Sequence, residues 1–301
     1  MDFSQVTAYL DALTAGGVPS ADLVIMQDHQ QLYRHMTGWR DANKTQPLRG
    51  DETYLLFSCT KVFTTCAAMQ LIDRGKLNLD DPVSRYLPAY ARLYVKSANG
   101  PRPAQNVMTV RHLMSMQSGL NYDGDTPAIQ EALRRTNGQA STREIIDAKA
   151  QDPLEFEPDS DFLYSLGHDV LAAVIEVASG LRFSQYLEEN IFAPLKLTTV
   201  GFEIRDKERQ CAQYMYNAAT NAFDAIACDE TPYRYSAKYE SGGAGLICDL
   251  RDYSVFADAL ACDGQSKDGT QLLSPAMIQL WSANQLGAQS RRTFDCMGRL
   301  G

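Results

Sequence analysis

The chain has no surplus of positive charge. Its 28 Lys and Arg face 37 Asp and Glu, a formal net charge of −9. That balance argues against a nucleic-acid backbone or an anionic membrane surface as partner. Long apolar runs are also missing: the best candidate for a span, Val170 to Val177, is short and carries Glu176. The opening residues Met1-Asp2-Phe3-Ser4-Gln5 contain neither a basic nor an apolar segment, so no secretory signal is read there. The chain holds only four histidines, and neither H-E-x-x-H nor C-x-x-C occurs, so motif spacing points to no metal site. The seven cysteines are odd in number and show no close pairing, which suits a reducing compartment and a cytoplasmic address. Gly242-Gly243-Ala244-Gly245 has no Lys-Ser or Lys-Thr after it, which excludes a phosphate loop. No cofactor is expected.

What is present is the composition of an ordinary globular chain, 301 residues with 45% hydrophobic and 22% charged. That length holds one large domain or two lobes. Phe3, Val6, Leu10 and Leu13 recur at helical spacing up to Gly16-Gly17. Residues 21–27 and 31–39 read as two strands around a turn at Asp28-His29-Gln30. Asp80-Asp81-Pro82 reads as the start of a short helix. From there to about Thr231 the pattern is mostly helical, with helices at 168–179 and, capped by Ser184, up to Phe192. Further helices are expected over 249–261 and 274–284.

The most informative residues are Ser58-Cys59-Thr60-Lys61, after the strand-like Tyr54-Leu55-Leu56-Phe57 and at the start of a helical run to Arg74, with Gly75 at the C-terminal cap. A serine and a lysine three apart on a helix share one face, so an amine can stand beside the hydroxyl. That is the smallest machinery for a serine nucleophile whose base is a lysine. Alone the tetrad is weak, since about one S-x-x-K arises by chance in a chain this long. The bland alternative is a capping serine and an exposed lysine. Cys59 points about a third of a turn away, and a small buried residue is its expected role. His168 has no Ser-His-Asp arrangement around it and is read as a residue of a helix N-terminus.

Longer blocks carry a resemblance. Phe57 to Pro88 (FSCTKVFTTCAAMQLIDRGKLNLDDPVSRYLP), Thr109 to Leu120 (TVRHLMSMQSGL), Pro153 to Gly180 with Tyr164-Ser165-Leu166, Phe183 to Leu195, and Gly242 to Leu246 with Asp252 and Phe256 occur in one order. In that order the chain resembles the serine β-lactamase-related hydrolases, the branch of class C β-lactamases, D-Ala-D-Ala carboxypeptidases and esterases. The resemblance implies a β-lactamase/transpeptidase-like α/β (α+β) fold. It would have an antiparallel sheet lobe flanked by helices (1–80 and 235–301), a mainly helical lobe (81–234), and a catalytic cleft between them. It implies an acyl-enzyme on Ser58, with Lys61 and Tyr164 as catalytic partners and the Ser58 N–H as one oxyanion donor. Lys61 acts as base only when its amine is neutral, a form that burial and the positive end of a helix favour. The partner implied is a small-molecule ester or amide; no motif speaks to the oligomeric state.

Two departures bear on specificity and activity. The usual Tyr-x-Asn is here Tyr164-Ser165-Leu166, and leucine cannot hydrogen-bond a substrate side chain or the lysine. This leans toward carboxylic esters over β-lactams and D-alanyl peptides. Nothing in Gln285 to Gly301 fits the family's third motif, Lys-Thr-Gly, His-x-Gly or Trp-x-Gly. Its strand normally donates the second oxyanion N–H, a group worth on the order of 10²–10³ in rate. The expectation is therefore a C-terminally shortened member with impaired turnover. Three functions compete: an esterase, a β-lactamase or D-alanyl carboxypeptidase, and an inactive homologue kept for binding or sensing.

Overall fold

The computed structural model describes residues 1–226 and 233–297. Helix α1 (Ser4–Ala15) begins just after Phe3, and Leu10 on its inner face is buried. Strands β1 (Ser20–Gln27) and β2 (Gln30–Gly38) form an antiparallel hairpin. Its two-residue turn, Asp28-His29, has φ of 50° and 63°. Two successive left-handed residues make the turn whose twist matches that of the flanking strands. A short strand β3 (Thr53–Leu55) pairs antiparallel with β8 (Ile247–Asp249). Asp249 then caps α8 (Leu250–Ala261) by accepting the Asp252 N–H at 2.8 Å, and α8 packs on β1.

A second hairpin, β6 (Gln213–Asn217) with β7 (Ala222–Ile226), lies where a mostly helical pattern was expected. Both strands are largely exposed, so neither face carries the alternation of apolar residues that marks a strand in sequence.

The helical part is built around α2 (Thr60–Asp73), which is buried on nearly every face. Its interior is Thr, Ala and Cys between Phe63, Met69 and Leu71, small enough for neighbours to close in all round. Gly75 follows at φ 67°, the left-handed residue that ends the helix. Helix α6 (Gly167–Ser179) lies against α2 and buries Val170 to Ile175 completely. Around them stand the two-residue pair β4 (Tyr94–Val95) and β5 (Arg102–Pro103) and the helices α3 (Val110–Met114), α4 (Pro127–Arg135) and α5 (Thr142–Lys149). The last helices are α7 (Phe183–Leu187), α9 (Pro275–Ser282) and α10 (Ala288–Met297). Among the described residues no strand follows β8, and no single helix is long and apolar enough to cross a membrane. Residues 298–301, the end of the Gln285–Gly301 stretch that carries no third motif, lie outside the described residues.

Two local expectations are corrected. Asp80-Asp81-Pro82 starts no helix; a single tight turn follows at Val83–Arg85. Asp81 instead collects the Asn78 N–H, the Arg85 guanidinium and the Tyr86 hydroxyl, so the acids organise a loop. Ser184 is not a cap: α7 begins one residue earlier, and the Ser184 hydroxyl donates to Glu240 at 2.7 Å.

Contacts group the chain into two units. One comprises Met1–Leu56, Phe192–Pro232 and Leu246–Leu272; the other comprises Phe57–Ile191, Tyr233–Gly245 and Leu273–Gly301. Helix α2 groups with the helical segments, because α6, α7 and α9 pack on it. The partition read from sequence, 1–80 with 235–301, had set that helix with the N-terminal hairpin.

Candidate active site

Every residue described in this subsection belongs to the second unit. Ser58 sits in the tight turn Phe57–Cys59 that leads into α2. Phe57 has φ 44°, a left-handed backbone that costs an aromatic residue about 1–3 kcal/mol. Strain of this kind one residue before a serine turns the chain sharply, and Ser58 is left exposed. Lys61, one turn further along, is buried at 8% exposure.

The Lys61 ammonium donates to Ser58 Oγ at 3.2 Å, to the Tyr122 hydroxyl at 3.0 Å and to the Gly243 carbonyl at 2.8 Å. Three acceptors match the three donors of an ammonium. The same positions serve the neutral amine. Its two N–H groups then go to Gly243 and Tyr122, and its lone pair accepts the Ser58 hydroxyl proton. The geometry thus holds both protonation states without moving a heavy atom.

Tyr164 meets Lys61 through its ring, with Nζ 4.7 Å from the centroid. A cation over the face of a phenol is attracted to the negative face of the ring. The ring stacks on Tyr122 at 5.7 Å and 7°, and Tyr164 is 40% exposed. The structure therefore brings Ser58, Lys61 and Tyr164 together. The hydroxyl in hydrogen-bond contact with the amine belongs to Tyr122, which sequence reasoning passed over. The signal was its place two residues beyond the block ending at Leu120. Burial pushes the Tyr122 phenol up, away from ionisation. Tyr233 makes edge-to-face contacts with Tyr122 at 5.7 Å and Phe57 at 6.2 Å, which completes an aromatic cluster beside the lysine.

Two buried anchors hold these groups. Lys149, 1% exposed, donates to Asn121 Oδ1 at 2.8 Å, the Asp123 carbonyl at 2.7 Å and Asp152 at 3.0 Å. It thereby grips the chain on both sides of Tyr122. Asp169, at the first turn of α6, is fully buried and accepts from Ser241 at 2.6 Å and Tyr239 at 2.8 Å. Burial pushes its carboxyl up, against the pull of those hydrogen bonds. The Ser241 hydroxyl oxygen also accepts the Ala244 N–H at 3.0 Å, so the segment 241–244 is tied to the carboxylate. Gly242 and Gly243 run so close to α6 that a Cβ would lie 2.4 Å from the His168 carbonyl or 2.3 Å from Asp169 Oδ2. Glycine is required there for space, and its reward is chemical: the Gly243 carbonyl meets Lys61 and the Gly242 carbonyl meets Thr64 at 2.7 Å.

The remaining candidates stand apart from this cluster. His168 is buried with Nε2 3.2 Å from the Thr65 hydroxyl, and burial followed by the nearby Lys61 charge lowers its pKa to about 3. It is a neutral core residue at the start of α6. Cys59 is exposed, whereas a buried place was expected. Leu166 is 3% exposed and packs inside, its N–H on the Asn121 carbonyl at 3.2 Å.

A family model described as Beta-lactamase matches residues 6–295. Among curated proteins, the acyltransferase mokF of Monascus pilosus is 28% identical over 96% of this chain and 72% of its own. Esterase EstB of Burkholderia gladioli is 30% identical over 71% of this chain and 56% of its own. Among solved structures, EstCE1, a hydrolase with promiscuous acyltransferase activity, superposes with a TM-score of 0.73 at 25% identity, covering 92% of this chain and 76% of that one. The architecture of helices and small antiparallel sheets is thus the β-lactamase/transpeptidase-like fold, and the chain belongs to the Beta-lactamase family, a family of serine hydrolases and acyltransferases.

Proposed function

We propose that this protein is an acyl-serine enzyme that works on carboxylic esters. The observation that carries the reading is Lys61 Nζ at 3.2 Å from an exposed Ser58 Oγ, with its other two donors fixed on Tyr122 and Gly243. In acylation, neutral Lys61 takes the Ser58 proton as Oγ attacks the ester carbonyl. The Ser58 backbone N–H is assigned to the oxyanion. The alkoxide leaves with a proton returned from the Lys61 ammonium, directly or through a phenol of Tyr122 or Tyr164. A second nucleophile then loses its proton to the amine and attacks the acyl-enzyme, releasing the acid if it is water.

The aromatic cluster of Phe57, Tyr122, Tyr164 and Tyr233 favours apolar acyl groups, since flat rings bury such chains without a buried charge. Leu166 supports esters over β-lactams, because it brings no amide to the site. An alcohol in place of water would make the same acyl-enzyme a transferase, a reading that the names of mokF and EstCE1 favour. β-Lactam or D-alanyl peptide cleavage, and a purely binding role, are the remaining alternatives.

The experiment compares p-nitrophenyl butyrate, a chromogenic cephalosporin and a fluorophosphonate probe on the wild type and Ser58→Ala. Ester turnover and probe labelling that both vanish in Ser58→Ala support the proposal. Ester product diverted to a new ester by added primary alcohol identifies transfer. Cephalosporin turnover in the absence of ester turnover, or a Ser58 that never labels, overturns it.

A further inference from the structure

No spacing in the sequence marks a metal site, yet folding of the first unit gathers three different ligand types at one point. His29 Nδ1, an Asp258 carboxylate oxygen and Cys262 Sγ all lie within 4.8 Å of one another. Asp258 and Cys262 are four apart, and the Cys262 N–H still bonds the Asp258 carbonyl at 3.0 Å, so both side chains leave one face of the last turn of α8. His29 comes from the tip of the β1–β2 hairpin, where its left-handed backbone is set by the two-residue turn. Its N–H donates to Asp258 Oδ1 at 3.2 Å, and its Nδ1 is 2.7 Å from Oδ2. Cys262 Sγ is 4.0 Å from Oδ1. Asp258 is buried, while the imidazole and the thiol are half-buried and open to entry.

We propose that His29, Asp258 and Cys262 bind a single zinc ion that clamps the hairpin tip to the end of α8. Nitrogen, carboxylate oxygen and thiolate are the donor set of zinc, and three protein ligands leave the fourth tetrahedral position to water. Bond lengths of roughly 2.0–2.3 Å would set the N–O separation near 3.4 Å and the O–S separation near 3.6 Å. At present Nδ1 lies 2.7 Å from Oδ2 and Sγ lies 4.0 Å from Oδ1, so a rotation of the carboxylate must bring one oxygen to both ligands. Binding releases the thiol proton to solvent, and the imidazole binds through Nδ1 with its hydrogen on Nε2. Among the described residues the other cluster of metal-binding residue types, Cys248, Asp249 and Asp252, is already committed. Asp252 Oδ2 accepts from Thr198 N, Thr199 N and the Thr199 hydroxyl, and Asp249 accepts from Arg209 and the Asp252 N–H.

The test uses the full chain with cobalt(II) as a spectroscopic stand-in for zinc. One equivalent should give a near-ultraviolet thiolate-to-metal band, displaced by zinc. The band should persist in Cys248→Ser and vanish in Cys262→Ser, and His29→Gln should weaken affinity more than tenfold. In the unmutated chain, zinc should slow alkylation of Cys262 more than tenfold, read by mass spectrometry. Exposed Cys59 and Cys296 should react at unchanged rates. A band that survives Cys262→Ser, a band lost with Cys248→Ser, or a Cys262 unprotected by zinc overturns the proposal.

Discussion

The Gly243 carbonyl is the shortest of the three contacts on Lys61, and an added methyl tests whether its placement matters. In Gly243→Ala the new Cβ would lie 2.3 Å from Asp169 Oδ2, where such contacts essentially never fall below 3.0 Å. Asp169 cannot give way, because it is fully buried and its Oδ1 is held by Ser241 and Tyr239. The 243 backbone must withdraw by about 0.7 Å in an interior packed to crystal-like density. A withdrawal of that size stretches the 2.8 Å bond to Lys61 toward about 3.5 Å, the limit of a hydrogen bond. Misplacement approaching 1 Å costs up to about 10²-fold in rate, so kcat for p-nitrophenyl butyrate should fall roughly 10- to 100-fold with KM little changed. Overpacking should also lower stability by about 1–3 kcal/mol in urea unfolding. Gly201→Ala is the control, since its methyl meets only the flexible end of Arg205 at 3.3 Å, and kcat should hold. Wild-type kcat in Gly243→Ala, or a stability loss without any loss of kcat, would refute the reasoning.

Three other outcomes are expected. Tyr122→Phe removes the hydroxyl on Lys61 and should lower kcat at least about tenfold while leaving the aromatic stack; an undiminished kcat would confine the phenol's work to Tyr164. Lys149→Met strands Asp152 and frees both flanks of Tyr122, so denaturant unfolding should show a loss of about 3–5 kcal/mol and the assay a reduced kcat. His168 is held neutral when folded, with a pKa near 3 against 6.5 in the open chain. Between those values the unfolded state binds the extra proton, so stability falls as pH drops from 6.5 toward 3, by up to about 1.4 kcal/mol per unit. His168→Gln should flatten that part of a pH series of urea midpoints, and an unchanged slope would locate the acid sensitivity elsewhere.

Sequence alone determined whatever depends on neighbours a few residues apart. Ser58 and Lys61 lie one turn apart because three residues separate them, and a turn between two strands is legible at Asp28-His29-Gln30, although Gln30 opens the second strand. The long blocks of family resemblance singled out Tyr164, and the fold sets its ring 4.7 Å from the amine. Only the tertiary structure decided the other contacts on Lys61, since Tyr122 lies 61 residues away and Gly243 lies 182 away. No local periodicity encodes a partner at that distance. The exposed hairpin over 213–226 escaped for a related reason, having no buried face to print a pattern. His29, Asp258 and Cys262 likewise meet only when a turn and a helix end are packed together. A hydrogen bond or a ligand set between distant segments is fixed by how buried surfaces fit, and that fit is a property of the whole fold.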